Sequence, residues 1–254
     1  MATNHQKVLS NLENLGLLKM KEYYPHYLDS VANQEISLTD ALFDLTEKQI
    51  IYQKELTDKR AIKLARFPTM KTLEEFDFEF QPSINKQEVL QLQSFHFLES
   101  YTNICFLGNS GVGKTHLATA IGIESCVQGI KTKFILFSDL IDKLTRASQK
   151  GTLVRTLKMF ANIPLLIIDE IGYTPIDKQQ ADWFYQLMSR RYEQTSTVIT
   201  TNIPFSMWAK SFNNTTASAA ILDRLIHHSK VFKITGKSYR LKDYHLDKEN
   251  DKTD

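Results

Sequence analysis

The run Gly108-Asn109-Ser110-Gly111-Val112-Gly113-Lys114-Thr115 has the spacing G-x-x-x-x-G-K-[ST], with an apolar strand-like run before it and an amphipathic stretch after it. Its chemistry is phosphate binding. Glycines let the backbone turn so that successive N–H groups face an anion at a helix N-terminus, and His116 follows within the same candidate nucleotide-binding segment. Lys114 is placed to bridge a β- and a γ-phosphate, and Thr115 to offer its hydroxyl to Mg2+. A second constellation, Asp169-Glu170, closes the apolar run Leu165-Leu166-Ile167-Ile168. Of two carboxylates at the end of a strand, one can help hold the metal and the other can polarise a water; these roles fall to Asp169 and Glu170 respectively. The pair points to hydrolysis of ATP, with Mg2+, rather than storage of the nucleotide. Asn202 ends the run Thr197-Val198-Ile199-Thr200-Thr201 and is the candidate sensor of the γ-phosphate and the water, the alternative being a plain strand-to-loop asparagine ahead of Pro204.

Such residues need a frame that brings strand ends together. From Asn103 onward, short apolar runs alternate with longer amphipathic stretches: Ile104–Leu107, Phe134–Phe137, Leu165–Ile168 and Val198–Thr200. Continuous apolar strands separated by helices imply a parallel sheet covered on both faces. The expected fold class is therefore α/β, a three-layer P-loop core with a parallel sheet, preceded by a small all-α region. Residues 1–67 form that helical domain, with Leu38, Leu42 and Leu45 at helical spacing. Ser37 and Asp40 resemble a capping box that opens a long helix, and Pro68 stops it, so the helix is expected to end at Phe67. Residues 68–82 are a connector packing on the core through Phe76, Phe78 and Phe80; residues 83–242 are the ATPase domain. Residues 243–254, five of them acidic, are expected to fray.

Composition narrows the class. With 254 residues, 42% apolar and 24% charged, the chain can bury a core as one large or two unequal domains. Thirty-one basic against 29 acidic residues leave a net charge of only +2, so a nucleic-acid partner must be argued from local clusters. Cys105 and Cys126 sit in no metal-ligand or disulfide pattern, and no window is long and apolar enough to cross a bilayer. A cytoplasmic protein without membrane contact is expected.

With these motifs in order, the sequence resembles the AAA+ ATPases of the initiator and helicase-loader group, and most of all the IstB transposition-helper family. The resemblance covers nearly the whole chain. It is carried by Ala65-Arg66-Phe67-Pro68, Lys71-Thr72-Leu73-Glu74-Glu75-Phe76-Asp77-Phe78, Gly113-Lys114-Thr115-His116-Leu117-Ala118, Ile168-Asp169-Glu170-Ile171-Gly172-Tyr173, Arg191-Tyr192-Glu193, and Ile221-Leu222-Asp223-Arg224-Leu225-Ile226-His227-His228-Ser229 with Gly236-Lys237-Ser238-Tyr239-Arg240-Leu241-Lys242. It implies an AAA+ fold, and an arginine finger at Arg224 that reaches a neighbouring subunit's ATP, with Arg191 as runner-up. It also implies that Phe76 and Phe78 line the adenine side, that ATP drives homo-oligomerisation on duplex DNA, and that a cognate transposase is the partner. Departures from the family pattern are Asn109-Ser110, Thr201 and the stretch Asn213–Thr216.

Basic clusters supply the candidate DNA contacts: Lys59, Arg60, Lys63 and Arg66 in the first, and Lys143, Arg146, Lys150, Arg155 and Lys158 in the second; a third runs from Lys230 to Lys242. Lys143, Arg146 and Lys150 fall at i, i+3, i+7 along one helix face. Contacts of this type go to phosphates and carry no sequence information. His227-His228 is read as a surface or interface pair, since adjacent helical histidines point apart and no third ligand is near in sequence. Rival readings are a replicative helicase loader, a nucleotide-gated protein-binding module and a small-molecule kinase.

Overall fold

The computed structural model describes residues 3–242; the expectation for residues 243–254 lies outside them. The chain divides into two compact units between Arg60 and Ala61. Among the described residues no helix is long and apolar enough to cross a membrane.

The first unit contains α1 (Asn4–Asn14), α2 (Leu18–Ala32) and most of α3 (Leu38–Ala65). Thr3 and Gln6 cap α1 reciprocally, each side chain bonding the other's backbone N–H. The opening N–H groups of α2 have no cap of their own; those of Lys19 and Met20 donate to Gln49 Oε1 of α3, at 2.9 and 3.3 Å. That bond fixes which side of α3 faces inward. Its buried stripe is Ala41, Leu45 and Gln49. This corrects the expected Leu38-Leu42-Leu45 face: Leu38 is 64% exposed and Leu42 48%, beside an exposed Phe43. Ser37 opens α3 as expected, its Oγ accepting from the Asp40 N–H at 3.1 Å. The helix ends at Ala65, two residues early, because Arg66 turns left-handed (φ +64°) and Phe67 precedes a proline, which disfavours helical backbone.

In the second unit the chain passes through α4 (Lys86–Leu90) and α5 (His96–Glu99) to β1 (Asn103–Gly108), α6 (Lys114–Val127), β2 (Thr132–Leu136), α7 (Phe137–Gln149), α8 (Leu153–Ala161), β3 (Leu165–Ile171), α9 (Lys178–Arg191), β4 (Ser196–Thr201), α10 (Trp208–Ser211), α11 (Thr215–His227) and β5 (Ser229–Ile234). The five strands form one sheet in the order β2-β3-β4-β1-β5, with every neighbouring pair parallel. Alternate residues of each strand feed two separate cores. Ile104, Phe106, Ile167, Val198 and Phe232 pack with α6 and the connector, and Cys105, Leu166, Ile168 and Ile199 with α7, α8, α9 and α11. Helices on both faces of a parallel sheet make the three layers.

β5 was not expected. Its residues alternate between buried Phe232 and Ile234 and exposed Val231 and Lys233, the pattern of an edge strand wet on one face. The order of strands matters for the site, since β4 lies between β1 and β3 and aligns the C-terminal ends of all three. Ligands of open parallel sheets bind at that edge.

Candidate functional site

The loop from β1 to α6 turns on Gly111 (φ +80°) and Gly113 (φ +98°), both left-handed and so suited to glycine. A methyl group on Gly111 would overlap the Ser238 hydroxyl, and one on Gly113 the ring of Phe76. The loop is thus braced from both sides, further by the Tyr239 N–H donating to the Gly111 carbonyl at 2.9 Å. Val112 anchors it in the core. Lys114 lies over the loop, its ammonium donating to the Asn109 carbonyl at 2.6 Å. Burial lowers its pKa, against the attraction of Asp169 and Glu170.

Asp169, only 2% exposed, faces Thr115 from the end of β3. The Thr115 hydroxyl is 3.0 Å from each carboxylate oxygen, and the Thr200 hydroxyl of β4 donates to the same group. Burial raises the Asp169 pKa, opposed by those hydroxyls and by Lys114. At Glu170 the register of β3 with β4 slips, and the backbone adopts φ +63°. Its N–H donates to Thr200 Oγ1 at 2.9 Å, while its side chain stands in solvent beyond the sheet edge. A non-glycine residue held in this conformation is strained, and here the strain re-aims a carboxylate. Asn202, just past β4, presents a buried Oδ1 with no hydrogen-bond partner among the described residues. A cradle of N–H groups, a buried lysine, a hydroxyl facing a carboxylate and an orphaned amide oxygen form a donor set that fits a nucleoside triphosphate with a hard divalent cation.

The other candidates separate. Phe76 is buried under the loop, its ring edge-on to Phe78 (4.7 Å) and to His116 (5.2 Å). The His116 ring donates to the Thr72 carbonyl at 2.7 Å, tying the connector to α6, so what it can offer an anion is its backbone N–H. Arg224 projects from α11, bonding its own helix at Ala220 and lying 4.9 Å from the Tyr185 ring centroid, with no acidic partner among the described residues. Arg191 cannot be a finger, which corrects the runner-up assignment. It is 1% exposed and each of its three nitrogens donates inside the fold: to the carbonyls of Phe160 (2.8 Å), Ile163 (2.8 Å) and Ser196 (2.5 Å) and to Thr197 Oγ1 (2.9 Å). Burial lowers its pKa to about 9, so it stays charged at neutral pH.

The basic candidates Lys143, Arg146, Arg155 and Lys158 are exposed on α7 and α8, with Lys150 capping α7 rather than within it. Lys59 and Arg60 are exposed in the first unit, and Lys63 and Arg66 in the second. The sequence reading missed Ser238, Tyr239 and Thr200 as parts of the site. It also missed that Glu193 meets His227 and His228, since α11 ends between the two histidines.

Three comparisons with known proteins bear on this geometry. Residues 10–246 match the family model described as IstB-like ATP binding protein. A protein named for ATP binding in insertion sequence IS232 of Bacillus thuringiensis subsp. berliner is 46% identical over 251 residues, 99% of this chain and 100% of that relative. Counterparts from IS5376 of Geobacillus stearothermophilus (36%; 97% and 98% covered) and IS21 of Pseudomonas aeruginosa (38%; 90% and 88%) carry names of the same kind. Among solved structures, DnaI superposes with a TM-score of 0.55 at 20% identity, covering 70% of this chain and 98% of that one, and the DnaC helicase loader with 0.54 at 22%, covering 64% and 96%. At these identities the likeness is one of fold, and the fold is AAA+.

Proposed function

The chain belongs to the IstB-like ATP binding protein family, and from that premise we propose that it is a DNA-binding ATPase that assists transposition: ATP drives its subunits to assemble on duplex DNA for a cognate transposase, and hydrolysis releases the assembly. The observation that carries the reading is the meeting of the P-loop, Asp169-Glu170 and Asn202 at one sheet edge, fixed by β4 lying between β1 and β3. The loop's N–H groups and Lys114 bind and orient the triphosphate. Thr115 and Asp169 would hold Mg2+, which when bound neutralises charge on the β- and γ-phosphate oxygens. Glu170, at the solvent side of the same edge, accepts a proton from the attacking water, and Asn202 Oδ1 holds that water in line. Phe76 and Phe78 border the adenine side. Arg224, with no acidic partner among the described residues, supplies a planar positive charge to the transferring phosphoryl group of a neighbouring subunit.

ADP release and nucleotide binding measured side by side test this. Glu170→Gln is expected to bind ATP as the unmodified chain does and to lose turnover by at least about 10²-fold. Lys114→Ala is expected to lose both. Turnover surviving in Glu170→Gln overturns hydrolysis at this edge; DNA affinity that ignores ATP overturns the assembly role.

A further inference from the structure

Glu193, His227 and His228 cluster away from the P-loop. Adjacent histidines diverge only while both are helical; α11 ends at His227, and His228 is its cap residue, with φ −118° and ψ +70°. Their rings come to 4.2 Å, centroid to centroid. Glu193 arrives from the turn after α9, in a left-handed conformation (φ +53°) that disfavours residues with a side chain. His228 Nε2 and Glu193 Oε1 are 3.0 Å apart, and one ring nitrogen of each histidine and one Glu193 oxygen all lie within 4.8 Å of one another.

Two imidazoles and a carboxylate are the ligand set of Zn2+ and its late first-row neighbours, not of Mg2+, which takes oxygen ligands. Ligands about 2.0–2.1 Å from a tetrahedral ion stand about 3.4 Å apart. Side chains this exposed can close that distance. Two further features favour a cation here. Both α9 and α11 bring their C-terminal ends, the negative poles of the helix dipoles, to this point. The Tyr192 hydroxyl also bonds His227 Nδ1 at 3.0 Å, an outer contact of the kind that orients a ligating imidazole.

We propose that Glu193, His227 and His228 bind a late first-row divalent ion, with water completing the coordination, and that the ion ties the end of α9 to the junction of α11 and β5. The proposal is independent of how the nucleotide site works. Its test is titration of metal-stripped, full-length protein with Zn2+ against a chromophoric chelator, followed by Co2+ with visible absorption recorded. A single equivalent of Zn2+ and the intense bands of four-coordinate Co2+ are expected. His228→Ala and Glu193→Gln should each weaken binding by more than the roughly 10–100-fold that loss of an outer partner costs, with Tyr192→Phe falling inside that range. Nucleotide binding of each variant serves as the check that it has folded, and His228→Gln replaces any that has not. No uptake at micromolar free Zn2+, or variants that bind as tightly as the unmodified chain, overturns the proposal.

Discussion

Burial at the end of β3 raises the Asp169 carboxyl above its ordinary value of 3.8, against the pull of two threonine hydroxyls and the Lys114 ammonium. The sign follows from linkage. Between 3.8 and the raised value the folded chain keeps a proton that the unfolded chain has lost, so this residue's contribution to stability declines as pH rises through that window and is constant above it. Asp169→Asn is therefore expected to raise the melting temperature of the nucleotide-free protein at neutral pH, with turnover lost. Calorimetry across pH checks it: the gain should vanish on the acid side of the window. Two arginines give a contrasting pair. Arg191 grips the carbonyls of Phe160, Ile163 and Ser196 through a planar fork that an ammonium cannot copy. Arg191→Lys should leave buried carbonyls orphaned and destabilise the fold by roughly 3–5 kcal/mol, read by denaturant titration. Arg224→Lys should melt within about 0.5 kcal/mol of the unmodified chain and lose DNA-stimulated turnover. The family resemblance ranked Arg224 ahead of Arg191, but helical spacing could not say that Arg191 is walled in, because both sit in helical runs and only the fold decides which is buried.

At the scale of elements, α7 and α8 present Lys143, Arg146, Arg155 and Lys158 on an exposed surface while Leu140, Leu144, Leu157 and Phe160 hold them to the core. Reversing Lys143 and Arg146 to Glu should weaken duplex binding at all sequences alike, and should flatten the plot of log affinity against log salt by about 0.9 for each phosphate no longer neutralised. Anisotropy titrations over a range of salt measure it, with DNA-independent ATP turnover as the control; an unchanged slope would strip these helices of the role. The inner strands β1, β3 and β4 were readable because burial on both faces leaves continuous apolar runs, as in Leu165–Ile168, and the edge strand β2 because Phe134 and Ile135 are buried as well. β5 was not, since Lys230 and Lys233 interrupt an edge strand that packs only through Phe232 and Ile234. α3 misled for a related reason. Apolar residues occur on several of its faces, and the hydrogen bonds from the start of α2 to Gln49, invisible to periodicity, select the buried one.

For the whole molecule, the proposed function would make activity a property of the assembly, since its arginine would be supplied across a subunit boundary. Lys114→Ala and Arg224→Ala should each be inactive alone, and a mixture of the two should recover part of the turnover, because a subunit with an intact P-loop can then sit beside one with an intact arginine. Failure to recover would place Arg224 in its own subunit's chemistry or outside it. Light scattering with duplex DNA should give a large complex with ATP and a small one with ADP. The P-loop was legible because its spacing encodes its own turn, but its bracing was not. The contacts from Ser238 and Tyr239 to Gly111 join distant parts of the sequence, as do those from Gln81 to Lys237 and from Asp77 to Lys242. The strand that flanks β1 and the residues that back the phosphate loop are among the last of the unit to be translated, long after the loop itself. A product cut short before Ser229 would carry the phosphate-binding motif without the strand that flanks β1 and without the Ser238 and Tyr239 contacts that back the loop.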